Sequence, residues 1–447
     1  MIEGEQSLAS GAANASAAYL YPEDLARFVR ARWTDVSVGP VALDLLPEAA
    51  SLEEFFSVCY HASMLREEKA PVTFRAILAA PSMFPVDGRP PDGVERLDFT
   101  SSLPFDPDGL RRLSVAADPT RTLIGVRAEA LGPRIWGLIN SGTRWLRNIQ
   151  GGRRAGGSLP PVPVVHVDAP AAIYAYKGNE FLGKLRGGKI SGARVDLFES
   201  KWLPSEFAGF RAELMQRHAA ARGRATEFGG ERWATLDATL PRRIAERMTK
   251  RVISVLRDSR HGGTIVFLPP EYVGRTSDDD AYIDLKYPFA EGASRRSFSD
   301  LIVDILNRLA QLYGAAGDAG PIGWREFEKT TDDKIATLDE GLFDFACMIA
   351  GQAATDGAVV MSTHHEYLGF GGMISGRLPA IRSVARALDL EAEQVCEENT
   401  GNVGARHRSA YRLAGAVPGS VVIVISQDGG VRFVCQKGHA VTYWEQE

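Results

Sequence analysis

NTGNVGARHRSAYRLAGAV, residues 399–417, decides how the second half of this chain folds. Asn402 and Gly404 make a flexible loop, and ARHRSAYRLA reads as the opening of a helix. VVIVIS (421–426), just beyond, reads as a central strand. Arg406, His407 and Arg408 stand together at the helix mouth. Three such neighbours repel each other, and a solvated helix face would spread them out. A helix N-terminus attracts anions through its free N–H groups and dipole, so cations there cost stability unless an anion docks. Arg406 and Arg408 can fork onto phosphate oxygens. A pair of surface arginines salt-bridged elsewhere is the plainer alternative.

Upstream, TDGAVVM (355–361) places Asp356 in a glycine-containing turn at the mouth of a strand. A carboxylate there can hold a divalent metal or take a proton from a hydroxyl. Asp-Gly is also a common turn dipeptide. AVVMST (358–363) and EYLGFGGMIS (366–375) read as paired strands, and GGTIVFLPP (262–270) as a buried one. VRFVCQ (431–436) and AVTYW (440–444) complete the sheet. TLPRRIAERMTKRVISVLRD (239–258) puts Ile244, Met248, Val252, Val255 and Leu256 on one helix face. SRRSFSDLIVDILNRLAQLYG (294–314) and KIATLDEGLFDFACMIAGQAA (334–354) are further amphipathic helices.

The first half has its own α/β pattern. YPEDLARFVRARW (21–33) and SLEEFFSVCYHASML (51–65) have helical spacing. Strand-like runs occupy 72–80, 122–130, 134–142, 162–170 and 171–188, the last with a hairpin signal at Lys177-Gly178-Asn179. GGRRAGGSLPP (151–161) is a loop by composition. Residues 1–17 read as a tail, 18–232 as an N-terminal domain and 233–447 as a C-terminal domain, with polar composition around 213–245 near the boundary.

Composition bounds the function. The chain has 447 residues, 45% hydrophobic and 24% charged, as expected of globular material. A net charge of −5 supplies no global basic field for nucleic acid. Four scattered cysteines without a CxxC argue against structural zinc and fit a reduced cytoplasm. No apolar run approaches the roughly 18 residues that would span a bilayer. The acidic, Ala/Ser/Gly-rich start lacks the pattern of a signal peptide. The expectation is a cytoplasmic protein without a membrane partner.

Taken together, DGA about fifty residues before GARHRSA, then ISQDGG (425–430), resembles the diadenylate cyclase domain family, also called DAC or DisA-N. The family's signatures are D-G-A, G-T-R-H-R-A-A and a strand ending S-E-E-x-G. The resemblance spans roughly 240–447, with 271–330 reading as an insertion. It implies a mixed sheet flanked by helices, one ATP per domain, and two domains face to face. Each 3′-hydroxyl then attacks the other nucleotide's α-phosphate, giving cyclic di-AMP and two pyrophosphates. It implies that Asp356 lies near the reacting oxygen and a magnesium or manganese ion, and that Gly357 and Ala358 shape the loop against the ribose. Arg406, His407 and Arg408 would hold the triphosphate, with Gly404, Ala405, Ser409 and Ser426 around it. Met373 and Ile374 align where the family meets adenine, largely through backbone. A homodimer, at least transient, follows from one site per chain.

Three positions depart from the family pattern: Ala405 for threonine, Gln427 for an acidic residue with Asp428 following, and Thr355 where some members have histidine. They keep open a nucleotide-binding regulator without turnover. EEFFSVCYHASMLREEKAPVTFRAIL, DPTRTLIGVR and RIWGLINSGTRWLR resemble sensor-type domains that precede DAC domains, which implies regulation by an unnamed ligand or protein.

His364-His365-Glu366 looks like a metal fragment, but neighbouring side chains on a strand or turn diverge. A polar hairpin turn, with one histidine able to approach the site, is the reading. Isolated His61 and His166, the SDDD run (277–280), and Trp136 and Trp145 read as ordinary structural or solvated residues.

Overall fold

The computed structural model describes residues 19–34, 46–89, 93–130, 132–142, 159–192, 196–227, 232–259, 261–275, 282–314, 320–427 and 429–446. The tail 1–17, most of the 151–161 loop, SDDD, Trp145 and Asp428 fall outside them. The chain divides into two compact units, Met1–Trp145 with Gly156–Ala193, and Leu146–Ala155 with Arg194–Glu447.

In the first unit, α1 (Pro22–Arg32) and α2 (Ala49–Ser63) pack together. Helix α2 buries Leu52, Phe55, Phe56 and Cys59, the spacing of one helix face. A two-residue pair, β1 (Arg66–Glu67) and β2 (Ala70–Pro71), precedes β3 (Phe74–Leu78), β4 (Glu95–Pro104) and α3 (Pro107–Ser114). Then come β5 (Thr122–Arg127), β6 (Arg134–Asn140), β7 (Pro163–Ala169), β8 (Ala172–Lys177), β9 (Glu180–Arg186) and β10 (Lys189–Ser191). They form one eight-stranded sheet in the order β10-β9-β8-β7-β3-β5-β6-β4. The expected hairpin is there: Lys177 pairs with Glu180 across a turn in which Gly178 has φ +59°. Gly125 is needed for contact, because a Cβ would come 2.4 Å from the Trp136 ring.

The second unit begins with α4 (Trp202–Glu206), α5 (Ala208–Glu227) and α6 (Leu240–Ser259). It continues through β11 (Gly263–Leu268), β12 (Ile283–Pro288), α7 (Ser297–Gly314), α8 (Trp324–Lys329) and α9 (Asp333–Ala353). β13 (Ala358–Ser362), β14 (Tyr367–Ile374), β15 (Ser383–Ala387), β16 (Val395–Asn399), α10 (Ala405–Ala416), β17 (Val421–Ile425), β18 (Val431–Lys437) and β19 (Ala440–Gln446) complete it. The nine-stranded sheet runs β12-β14-β13-β11-β17-β18-β19-β15-β16, with β11/β13 and β15/β19 parallel and the other pairs antiparallel. This is the expected mixed α/β sheet flanked by helices. Strand β17 is central and apolar throughout because both faces are covered. Val421, Ile423 and Ile425 join the core beneath α6, α7 and α9, while Val422 and Val424 join the core beneath α10.

Two boundaries differ from the sequence reading. The units divide at Ala193/Arg194, not near 232. Leu197, Phe198, Trp202, Phe210 and Leu214 belong to the core of the second unit, and Trp202 stacks on Trp444 with centroids 4.3 Å apart. Nor does 271–330 sit apart from the core: Phe298, Ile302, Ile305 and Leu306 of α7 are fully buried in it. The sheet also does not close at β19, since β15 and β16 extend it.

Candidate functional site

Strand direction brings the singled-out residues to one end of the second sheet. β11 and β13 are parallel, with Thr264 opposite Ala358, so Gly262 and Gly357 lie at matching ends. β17 runs the other way, with Ile425 opposite Gly263, so Ser426 and Gln427 arrive at that end. β14 pairs Gly372 with Ala358, which brings Met373 and Ile374 there too.

Asp356 is exposed in the turn between α9 and β13. Gly357 follows with φ +106°, and a Cβ there would lie 2.5 Å from the Gly371 carbonyl carbon. Glycine is thus required twice over, by backbone conformation and by the close pass of β14. The Ala358 side chain is buried in the core beneath α10, so only its backbone faces the turn. Met373 is 59% exposed and lies opposite Asp284 of β12, and Ile374 is half-buried.

Gly404 is the N-cap of α10. The Arg408 N–H bonds the Gly404 carbonyl at 3.1 Å, so the N–H groups of Ala405, Arg406 and His407 emerge from the helix end. Arg406 is exposed, and its guanidinium donates to the His261 carbonyl at 3.3 Å. A Cβ on Gly262 would lie 2.8 Å from that guanidinium and 3.2 Å from the Gln427 nitrogen. Arg408, also exposed, donates to the Val403 carbonyl at 2.9 Å. Among the described residues neither arginine has a carboxylate ion-pair partner, and the first turn of α10 holds no acidic residue. Ala405 is exposed, Ser409 half-buried, and the His407 ring lies 6.4 Å from that of Tyr411. The Ser426 hydroxyl donates to the Gly430 carbonyl at 3.0 Å, which holds the turn after β17.

Sequence reasoning missed the groups that hold this end together. The His261-Gly262-Gly263 corner is one; its paired glycines ahead of an apolar strand were the available signal. A Gly263 Cβ would come 2.5 Å from the Ala353 carbonyl, so α9 and β11 meet there without a side chain between them. The other is a polar cluster beside α10. Arg432 donates to the Tyr411 hydroxyl at 3.3 Å and to Glu445 at 2.9 Å, and the Tyr443 hydroxyl donates to Glu398 at 2.6 Å.

The histidine pair corrects an expectation. It follows β13, at the far end from Asp356, so neither ring approaches the site. His364 pairs with Glu213 at 2.9 Å. His365 is no polar turn residue: it has φ +56°, is 3% exposed and stacks on Phe210 at 4.3 Å. Burial pushes its pKa down to about 3.

No group of three or more His, Cys, Asp or Glu among the described residues could hold a metal ion. A single exposed Asp356 does fit a magnesium- or manganese-type ion whose other ligands are substrate phosphates and water. No helix among the described residues is long and apolar enough to cross a membrane.

Residues 42–140 match the family model of the probable sensor domain DACNV. That segment runs from ahead of α2 to the end of β6, and supplies half of the first sheet: β3, β5, β6 and β4. β7 to β10, the other half, lie beyond the DACNV match. No curated protein and no solved structure matches the chain.

Proposed function

We propose that the second unit binds ATP and condenses two molecules into cyclic di-AMP and two pyrophosphates, and that the DACNV-containing unit sets its rate. One observation carries the reading: Arg406 and Arg408 stand in the first turn of α10 with no carboxylate ion-pair partner among the described residues, at the sheet end that also presents Asp356. Cations at a helix N-terminus oppose its dipole, and a triphosphate reverses that cost.

In this reading Arg406, Arg408 and the N–H groups of Ala405 to His407 grip phosphate oxygens. The 3′-oxygen of one nucleotide bonds to the α-phosphorus of the other, and the α–β bridge breaks. The electron pair leaves with pyrophosphate, whose growing charge the arginines offset. Asp356 orients the hydroxyl and takes its proton, or carries a divalent cation, which would supply charge neutralisation on the phosphates. The Met373–Ile374 backbone and Gly357 form the edge against which the nucleoside lies. One such site per chain means that the second nucleotide comes on a second chain.

A regulator that binds nucleotide without turnover is the second reading. Ala405 favours it, since its methyl stands where the cyclase family has a hydroxyl, and so does Gln427. Incubating the full chain with ATP and manganese or magnesium, then identifying products by mass spectrometry, decides between them. Cyclic di-AMP supports the cyclase. Saturable ATP binding with no product supports the regulator, and no binding sinks both.

A further inference from the structure

Helix α10 meets the sheet largely through small side chains. Its buried residues are Ala410, Tyr411, Leu413 and Ala414, and a Cβ on Gly415 would come 2.9 Å from Ile381. Contacts of methyl size interdigitate shallowly, so they resist a roll of the helix about its axis only weakly. A roll of about 20° carries a side-chain tip ~5–6 Å from the axis through about 2 Å. That is more than a hydrogen bond to a phosphate oxygen tolerates. Such a roll would misdirect Arg406, His407 and Arg408 together, so the helix needs a directional contact with the sheet.

Tyr411 supplies one. It lies one helical turn beyond His407, the two rings 6.4 Å apart, and is 1% exposed. A buried phenol needs a partner for its hydroxyl, and the Arg432 guanidinium donates to it at 3.3 Å. Arg432 stands in register with Val424 of β17 and Glu445 of β19, on the sheet face beneath α10. Its own orientation is set by the sheet: it donates to Glu445 at 2.9 Å and lies 4.4 Å over the Tyr443 ring. Tyr443 is buried in turn, and its hydroxyl donates to Glu398 of β16 at 2.6 Å.

We infer that Arg432 is a positioning residue for the phosphate grip: through the Tyr411 hydroxyl it fixes the roll of α10 that aims Arg406, His407 and Arg408. The inference rests on the nucleotide-binding reading of that helix. The Arg406 bond to the His261 carbonyl holds the helix end at one point, and a single point is a pivot. The Tyr411 link, one turn on and on the buried side, is a second point, and two points fix a roll. The device is geometric and not a third phosphate cation, because Glu445 offsets the Arg432 charge at 2.9 Å. Apolar residues of the same volume would fill the space without the angular preference that hydrogen bonds bring.

The test is ATP calorimetry on the full chain, with NMR of isotope-labelled histidine rings in the nucleotide-free protein. The His407 signals are assigned by their loss in His407→Gln. Tyr411→Phe keeps the ring, the volume and every charge and removes only the hydroxyl; Arg432→Met removes the donor. Each should weaken ATP about tenfold, the loss expected of one hydrogen bond to a charged group. Each should also displace the His407 signals, which a change in stability alone does not do. The double variant should bind no more weakly than either single one, because the two residues act as a unit. Arg386→Met takes an equal charge from the same sheet face, where Arg386 pairs with Glu398 at 2.9 Å, and should change neither readout. Wild-type affinity and unmoved His407 signals in Tyr411→Phe overturn the inference. So does equal weakening by Arg386→Met, or full additivity in the double variant. A wild-type chain that binds no ATP sinks the nucleotide reading and this inference with it, whereas tight wild-type binding with indifferent variants sinks this inference alone.

Discussion

The Arg406 guanidinium rests on the His261 carbonyl, 3.3 Å away and far from it in sequence. This bond ties the N-terminus of α10 to the corner that starts β11. It fixes one nitrogen of the guanidinium of a residue that is otherwise exposed. Replacing Arg406 and Arg408 together by alanine should weaken ATP binding by about 1.5–3 kcal/mol per lost charged contact. Removing two cations from a helix N-terminus should at the same time leave apo stability unchanged or slightly higher. Calorimetry and thermal melts on one sample read both, and unaltered ATP affinity would assign the arginines a structural role.

Asp356→Asn should abolish cyclic di-AMP formation. The side chain is exposed, so the melting temperature should shift by no more than a change of about 0.5 kcal/mol would produce. Product at the wild-type rate would remove Asp356 from the chemistry.

Gly357→Ala tests the turn itself. The new Cβ would meet the Gly371 backbone at 2.5 Å, in a backbone conformation that L-residues avoid. Strain of about 1–3 kcal/mol is expected. Chemical denaturation should show it, whereas Gly351→Ala, with open space around it, should show none.

His365 makes stability depend on pH. Its folded pKa of about 3 lies below the ordinary imidazole value of 6.5. The unfolded chain therefore binds a proton that the folded chain refuses between those values. The stability is complete above about pH 6.5 and falls as pH drops toward 3, by at most about 1.4 kcal/mol per unit. Glu246, raised to about 7, works in the other direction: its share is full at low pH and is lost as pH rises through about 7. His365→Phe isolates the first effect. Between pH 6.5 and 5 it should lose up to about 2 kcal/mol less than wild type in urea titrations. Parallel pH profiles would count against a buried neutral imidazole.

Truncation tests the revised boundary. A chain starting at Arg194 should fold, because it keeps Phe198, Trp202, Phe210 and Leu214 in the second core. One starting near 235 removes all four and should expose apolar surface, read as dye binding and a lowered melting temperature. Equal stability of the two would restore the boundary near 232.

The strands β11, β13 and β17 were legible because they are buried on both faces, which leaves short runs such as VVIVI with no polar interruption. The α6 stripe and the Gly178 turn were legible for equally local reasons. Helix α5 was not: among polar neighbours, Phe210, Leu214 and His218 alone mark its buried face. β16 is mostly exposed and β15 buries only the adjacent Val384 and Ala385, so no alternation announces either strand. The Asp356 and Arg406 elements pair through their resemblance to the motifs of one family, but the corner at His261 that seats Arg406 follows from strand order alone. The fate of His365 depended on Phe207, Phe210 and Phe298, which no local window contains.

The nine-stranded sheet ends on β12 and β16. β12 turns Asp284 and Lys286 outward and finishes in Pro288, while β16 carries Glu397 and Glu398. Charges and proline on an open edge discourage a foreign strand from adding to it. The same features disfavour the joining of two copies of this chain edge to edge into a continuous ribbon. At high concentration such a sheet resists edge-to-edge aggregation at its flanks.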